Sequence, residues 1–337
     1  MQEIRMGVIG CGRWGSNFIR ALGGLEGCRL LGVHDSDARS AKRAARGNLK
    51  AFGSPEKMVH ALKLDAVIIA TPATVHHDVA MKMLKSGVHV LVEKPLAVTV
   101  EECTEMTALA ARKKLTFMVG HIFHYNKGVV KLKSIIDAGE LGELRYLYSV
   151  RTNLGPIRSD VNVLWDLAAH DVSMMLHLVG ESPQEVTASG QSYLRRDIAD
   201  VGFGTLYFAK RKILGHLQVS WLDPHKVRKL TVIGADQMAE FDDVNTQEPI
   251  RLFNRGVLQD KIYDDFGHFQ MVLRDGDINI PHVALDEPLR QECLHFLDCV
   301  RNGKRPLTDG RHGTEVVRVL AALDTSLKRK GAPVKVG

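Results

Sequence analysis

Cysteine is sparse in this sequence: five residues, at positions 11, 28, 103, 293 and 299, odd in number and without C-x-x-C spacing. That set fits a reducing compartment and argues against a disulfide framework or a zinc knuckle. Long apolar runs are missing too. The longest, AVIIA at 66–70 and its neighbours, are strand-sized, far short of the roughly 20 residues of a membrane-spanning helix. The start, MQEIRMGVIG, has no long apolar stretch followed by a small-residue cleavage site, so no export signal and a cytoplasmic location are expected. Aromatic residues are only 6% of the chain, and no zinc-finger, RRM or helix-turn-helix signature occurs. The net charge of +6 is spread out, with small clusters such as KRKGAPVK near the end, and therefore reads as a mildly basic protein with anionic ligands. Neither nucleic acid nor membrane is an expected partner. Repeats are absent as well.

What is present is an ordinary globular composition over 337 residues, 45% hydrophobic and 25% charged, long enough for two domains. The N-terminal third alternates strand-like and helix-like runs. Apolar stretches at 4–9, 28–35, 64–70, 88–93 and 115–120 alternate with helical ones at 16–23, 37–48, 74–87 and 99–114. The last of these opens with Thr99 and Glu102 at capping-box spacing. Such alternation implies an α/β Rossmann domain with a doubly wound parallel sheet over 1–120. Residues 7–15, GVIGCGRWG, place Gly10, Gly12 and Gly15 between the first strand and the first helix. Gly10 would allow a tight turn, Gly12 a close approach of backbone to phosphate, and Gly15 close helix–strand packing. The helix start at Arg13, Trp14 and Gly15 then directs free N–H groups at a pyrophosphate. Asp35 lies twenty residues past Gly15, where a carboxylate accepts hydrogen bonds from ribose hydroxyls and repels a 2′-phosphate. NAD is therefore the expected cofactor ahead of NADP; the alternative for Asp35 is a cap on the helix near Asp37.

ATPATVHHDVA at 70–80 and GVHVLVEKPLAVTVEE at 87–102, with the glycine motif, resemble the glucose–fructose oxidoreductase/inositol dehydrogenase/MocA family of nicotinamide-dependent sugar oxidoreductases. The similarity continues through WDLAAHD at 165–171 to the C-terminal EPLRQECLHFLDCVRNGKRPLTDGRHGTEVVRVLAAL. The resemblance implies that Thr71, Pro72 and His76 face the cofactor and that the Glu93-Lys94-Pro95 triplet belongs to the site. Lys94 also ends a central strand, where open α/β sheets bind ligands, and its ammonium would stabilise a developing alkoxide. The bland alternative is a surface lysine paired with Glu93. Where the family has an R-F-N-P-like stretch, this chain reads FHYN, and Tyr125 and Asn126 stand there as candidate substrate contacts. No metal site is expected: His76 and His77 are adjacent on a helix and cannot converge on one ion, and His121 and His124 lack further ligands.

Beyond residue 120 the pattern becomes helix followed by β-rich runs joined by short turns. This implies an α+β domain over 121–337 with a large, mostly antiparallel sheet for substrate binding and oligomerisation. A homodimer or homotetramer is expected, because a large sheet with one uncovered face commonly buries it against another subunit. Asp166 and His170 sit four apart on one helix, so the carboxylate can orient an imidazole acting as general base, and the family's D-x-x-x-H pair maps onto them. Asp171 and His177 read as structural. The expected reaction is oxidation of a secondary sugar hydroxyl, His170 taking the proton and Lys94 stabilising the oxygen. The WDLAAHD form is similar to family members that oxidise UDP-N-acetylglucosamine at C3, and Arg151 and Arg158 could meet a diphosphate. Two alternatives remain open: a free sugar or polyol substrate, and a non-catalytic ligand-sensing regulator.

Overall fold

The structure, a computed structural model, describes residues 3–258, 272–284 and 286–337. The chain divides into two compact units, Met1–Tyr125 with Asp286–Arg318, and Asn126–Leu285 with Val319–Gly337.

In the first unit, strands and helices follow one another as β1 (Ile4–Ile9), α1 (Arg13–Gly23), β2 (Cys28–His34), α2 (Ala38–Ala44), β3 (Lys50–Phe52), α3 (Pro55–Leu62), β4 (Ala66–Ile69), α4 (His76–Lys85), β5 (His89–Glu93), α5 (Val100–Arg112) and β6 (Phe117–Gly120). The strands form one sheet in the order β3-β2-β1-β4-β5-β6, with every pairing parallel. The order reverses between β1 and β4, the place where doubly wound sheets open a ligand crevice. All four residues of β4 are buried, as a central strand covered on both faces requires. The parallel sheet read from the alternation is therefore present. It also contains β3, and α3 links that strand to β4, two elements that the alternation missed. The helix read over 37–48 stops at Ala44, because Ala45 turns out of helical geometry at ψ 84°.

The second unit continues with α6 (Lys127–Asp137), β7 (Leu144–Thr152), a π-helical segment Leu164–Ala168 running into α7 (Ala169–Val179), β8 (Glu185–Gln191), β9 (Val201–Phe208), β10 (Ile213–Ser220), β11 (Val227–Gly234), β12 (Met238–Asp242), β13 (Ile250–Phe253), β14 (Gly256–Leu258), β15 (Val272–Arg274) and β16 (Ile278–Asn279). Then come α8 (Pro288–Asn302), α9 (Gly310–Lys328) and β17 (Val334–Lys335). The large sheet runs β16-β13-β12-β11-β7-β10-β9-β8-β17, antiparallel apart from the β7–β10 pair. Its strands alternate: in β10 the odd positions Ile213, Gly215, Leu217 and Val219 are buried, Gly215 beside Met175 of α7. The opposite face exposes Tyr146, Tyr148, Phe203, Tyr207 and Leu214 as neighbours on β7, β10 and β9.

The boundary between the units is not a single cut at residue 120. Leu289, Cys293, Phe296 and Leu297 of α8 pack into the core that Phe18 and Leu22 of α1 share with Met6, Val8, Ile68 and Leu91 of the parallel sheet. Apolar burial thus assigns 286–318 to the first unit, although the helix lies far along the chain. Among the described residues no helix is long and apolar enough to cross a membrane.

Candidate active site

The first unit offers a dinucleotide cradle made of backbone. Gly10 adopts φ +92°, a left-handed conformation that side chains disfavour, and a Cβ there would stand 2.5 Å from the Ala70 carbonyl. At Gly15 a Cβ would fall 1.8 Å from the Gly10 carbonyl oxygen, so only glycine lets α1 lie this close to the turn. Gly12 differs: a Cβ there would meet nothing within 4 Å. Two glycines are demanded by the protein's own packing and one faces open space, which is the arrangement a pyrophosphate approaching the start of α1 needs. Gly12 is the N-cap of α1 and supplies no side-chain cap for the first-turn N–H groups. Arg13 is exposed and Trp14 is 36% exposed beside it.

Asp35, directly after β2, braces this turn. Its Oδ2 accepts the Cys11 N–H at 2.7 Å and its Oδ1 accepts the Asp37 N–H at 2.8 Å. The cap of α2 is Asp37 itself, which accepts from Arg39 N and Ser40 N. At the end of β4, Thr71 presents a buried Oγ1 without a hydrogen-bond partner, next to exposed Pro72. An orphaned hydroxyl beside the glycine turn fits a site completed by a polar ligand. His76 is 1% exposed and ties two strand ends together: Nδ1 lies 2.9 Å from the Pro95 carbonyl and Nε2 2.8 Å from the Thr71 carbonyl. Burial lowers its pKa although both carbonyls favour the charged ring.

Lys94 follows β5 and is half-buried, and its N–H donates to Oε2 of Glu93 at 3.0 Å. Burial pushes the Glu93 carboxyl up to about 7 against the opposing pull of Lys94. Glu292, on α8, is fully buried and is driven well above the usual carboxylate range by burial and by Glu93. The parallel sheet thus gathers Gly10, Gly12, Gly15, Asp35, Thr71, His76, Glu93 and Lys94 at the carboxyl ends of its strands. Tyr125 is turned inward, its hydroxyl 3.1 Å from Thr308 Oγ1. His121, His124 and His312 form an unforeseen cluster with ring centroids 4.8 to 6.3 Å apart. Among the described residues no group of histidine, cysteine and carboxylate side chains could hold a metal ion.

In the second unit Asp166 stands on the π-helical segment. The sequence reads as one regular helix carrying Asp166 and His170; the widened turn is the departure, a feature frequent at functional sites. Asn162 starts the segment, its Oδ1 accepting from Leu164 N and Trp165 N. Asp166 Oδ2 accepts the indole N–H of Trp221 at 3.1 Å, and Oδ1 lies 3.5 Å from Nη1 of Arg158. Arg158 is held more closely by Asp160, at 2.9 and 2.6 Å. His170 follows one turn later, partly buried. Arg151 is not displayed to a ligand: it is 3% exposed and grips Asp171 at 2.8 and 3.2 Å. Asn126 caps α6 through Oδ1 and donates to Asp243 at 3.1 Å. Sequence reading missed Trp221 altogether. It lies 55 positions from Asp166 and carries no motif.

The chain is similar to known proteins along nearly its whole length. Residues 4–121 match the model of the Gfo/Idh/MocA oxidoreductase family with NAD-binding Rossmann fold, and residues 129–240 match the GFO/IDH/MocA C-terminal domain. A UDP-N-acetylglucosamine 3-dehydrogenase from Acidithiobacillus ferrooxidans is 30% identical over 98% of this chain and 100% of its own. A solved structure of that activity from the same organism superposes with TM-score 0.83 at 26% identity, covering 98% of this chain and 99% of that one. The scyllo-inositol 2-dehydrogenase (NAD(+)) of Bacillus subtilis is 26% identical over 99% of this chain and 96% of its own.

Proposed function

The chain belongs to the Gfo/Idh/MocA oxidoreductase family, and from that premise we propose an NAD-dependent dehydrogenase that oxidises C3 of a UDP-N-acetylhexosamine. The observation that carries this reading is the end-to-end similarity to a UDP-N-acetylglucosamine 3-dehydrogenase, with Lys94, Asp166 and His170 all present. The residues of the cradle fit a dinucleotide: Gly12 and the α1 start for the pyrophosphate, Asp35 for the adenosine ribose, and Thr71, Pro72 and Glu93 toward the nicotinamide half. Asp35 also supports NAD over NADP, since a 2′-phosphate would meet its carboxylate. When bound, NAD supplies the hydride acceptor.

The protein's own part is proton and charge management. His170, oriented by Asp166, takes the proton of the C3 hydroxyl. The Lys94 ammonium stabilises the oxygen as it becomes an alkoxide and then a ketone. Arg158, partly exposed on its loop, is the arginine assigned to the substrate diphosphate. A second copy of the chain is assigned to the exposed aromatic face of the large sheet, giving a homodimer or homotetramer. Five buried thiols without disulfides support a cytoplasmic setting.

The test is a substrate panel read by NADH absorbance at 340 nm and product mass. UDP-N-acetylglucosamine should be oxidised to a 3-keto product. The polyol reading has its own support in the B. subtilis relative, and turnover of inositols or glucose with none on UDP-sugars would replace the nucleotide-sugar assignment.

A further inference from the structure

We infer that Trp221 is a positioning residue for this reaction: its indole N–H holds the Asp166 carboxylate in the orientation from which Asp166 serves His170. The inference rests on the roles proposed above for Asp166 and His170 and adds a residue to them.

Four observations carry it. The Trp221 side chain is 1% exposed, among the largest fully buried side chains of the molecule, and its single polar atom points at Oδ2 of Asp166 from 3.1 Å. A buried indole needs one acceptor for its N–H, and here the acceptor is a carboxylate, which makes the bond charge-assisted. The indole is itself anchored. The Trp221 backbone N–H donates to the Asp200 carbonyl at 3.0 Å, and the Asp200 carboxylate, 1% exposed, takes the N–H groups of Tyr193 and Leu194. Finally, Arg158, which also reaches Asp166, does so only at 3.5 Å, is 38% exposed, and binds Asp160 more closely.

An aspartate carboxyl turns easily about its last torsion, where the energy wells are broad. A rigid donor on one oxygen removes that freedom before substrate arrives, and preorganisation of this kind acts on turnover more than on binding. Asp166 sits on a widened helical turn started by Asn162, and its own N–H donates to the Asn162 carbonyl at 3.2 Å. Backbone and carboxylate are thus each held from a different element.

The test compares Trp221→Phe, and site-specific replacement of Trp221 by its benzothiophene isostere, with wild type in steady-state kinetics. The isostere deletes the N–H while keeping the volume, so it covers a failure of the phenylalanine variant to fold. Loss of one hydrogen bond to a charged group should lower kcat by about 10- to 100-fold, with KM for UDP-N-acetylglucosamine and NAD within about twofold. In an Asp166→Asn background the same replacement should cause no further loss, because the residue acts through Asp166. The inference is overturned by an unchanged kcat in the isostere variant while Asp166→Asn is impaired, or by equal losses in both backgrounds. Wild-type turnover of Asp166→Asn would instead remove the underlying role of Asp166, and the inference with it.

Discussion

The two units present their functional groups in different chemical forms. In the parallel-sheet unit the candidate groups are main chain: the turn at Gly10, the open flank of Gly12 and the start of α1, braced by one aspartate. In the antiparallel unit they are side chains: Asp166 stands on a π-helical turn and is reached from a loop by Arg158 and from the residue after β10 by Trp221. Main-chain sites tolerate almost no added atom, whereas side-chain sites tolerate atoms and lose orientation. Damage in the first should therefore appear as lost cofactor binding, and damage in the second as lost turnover.

The sharpest way to break that contrast is to exchange its outcomes. His170→Ala should lower kcat by about 10²- to 10⁴-fold with NAD affinity unchanged, as judged by fluorescence titration. Gly15→Ala should abolish NAD binding, because its methyl would occupy the space of the Gly10 carbonyl. Retained NAD binding in the glycine variant, or lost binding in the histidine variant, breaks the comparison. Next in size is Arg151. Stranding its buried partner Asp171 with Arg151→Met should cost about 3–5 kcal/mol in a denaturant titration. Arg158→Ala should instead raise KM for the UDP-sugar and leave stability within about 0.5 kcal/mol.

Glu93 contributes a pH dependence of known sign. Its carboxyl is about 7 in the folded protein against 4.5 for an unperturbed glutamate, with burial the larger cause and Lys94 opposing. The folded chain therefore holds more protons, and stability falls as pH rises from about 4.5 to about 7, by roughly 3 kcal/mol in total. Glu93→Gln should flatten that slope in urea melts recorded across the interval; an unaltered slope would place the pH dependence elsewhere. The smallest effect belongs to a cap. Ser54 Oγ accepts the Lys57 N–H at the start of α3, and Ser54→Ala should cost about 1 kcal/mol.

Legibility followed the same division. The cradle was readable because its demands are local: a left-handed turn and a close approach both call for glycine within six residues. The Thr99 cap was readable too, since Thr99 Oγ1 accepts the Glu102 N–H at 3.2 Å, although Glu102 reaches back to Val98 N. Ser54-Pro55 carried an equally plain start signal for α3, and only the short, half-exposed β3 before it hid the pair. Nothing local announced the widened turn at Leu164–Ala168, the Arg151–Asp171 pair or the indole behind Asp166.

Periodicity, caps and glycine spacing are properties of short windows, governed by backbone sterics and by which face of an element is apolar. From them alone followed a doubly wound sheet, a nucleotide turn and a second, antiparallel unit. Partner choice is another matter. Which carboxylate receives Arg151, which donor reaches Asp166, and that α8 returns to the first core depend on distances across tens to hundreds of residues. Those distances are set only when buried surfaces have been packed together, because burial and hydrogen-bond satisfaction are properties of the assembled interior rather than of any segment.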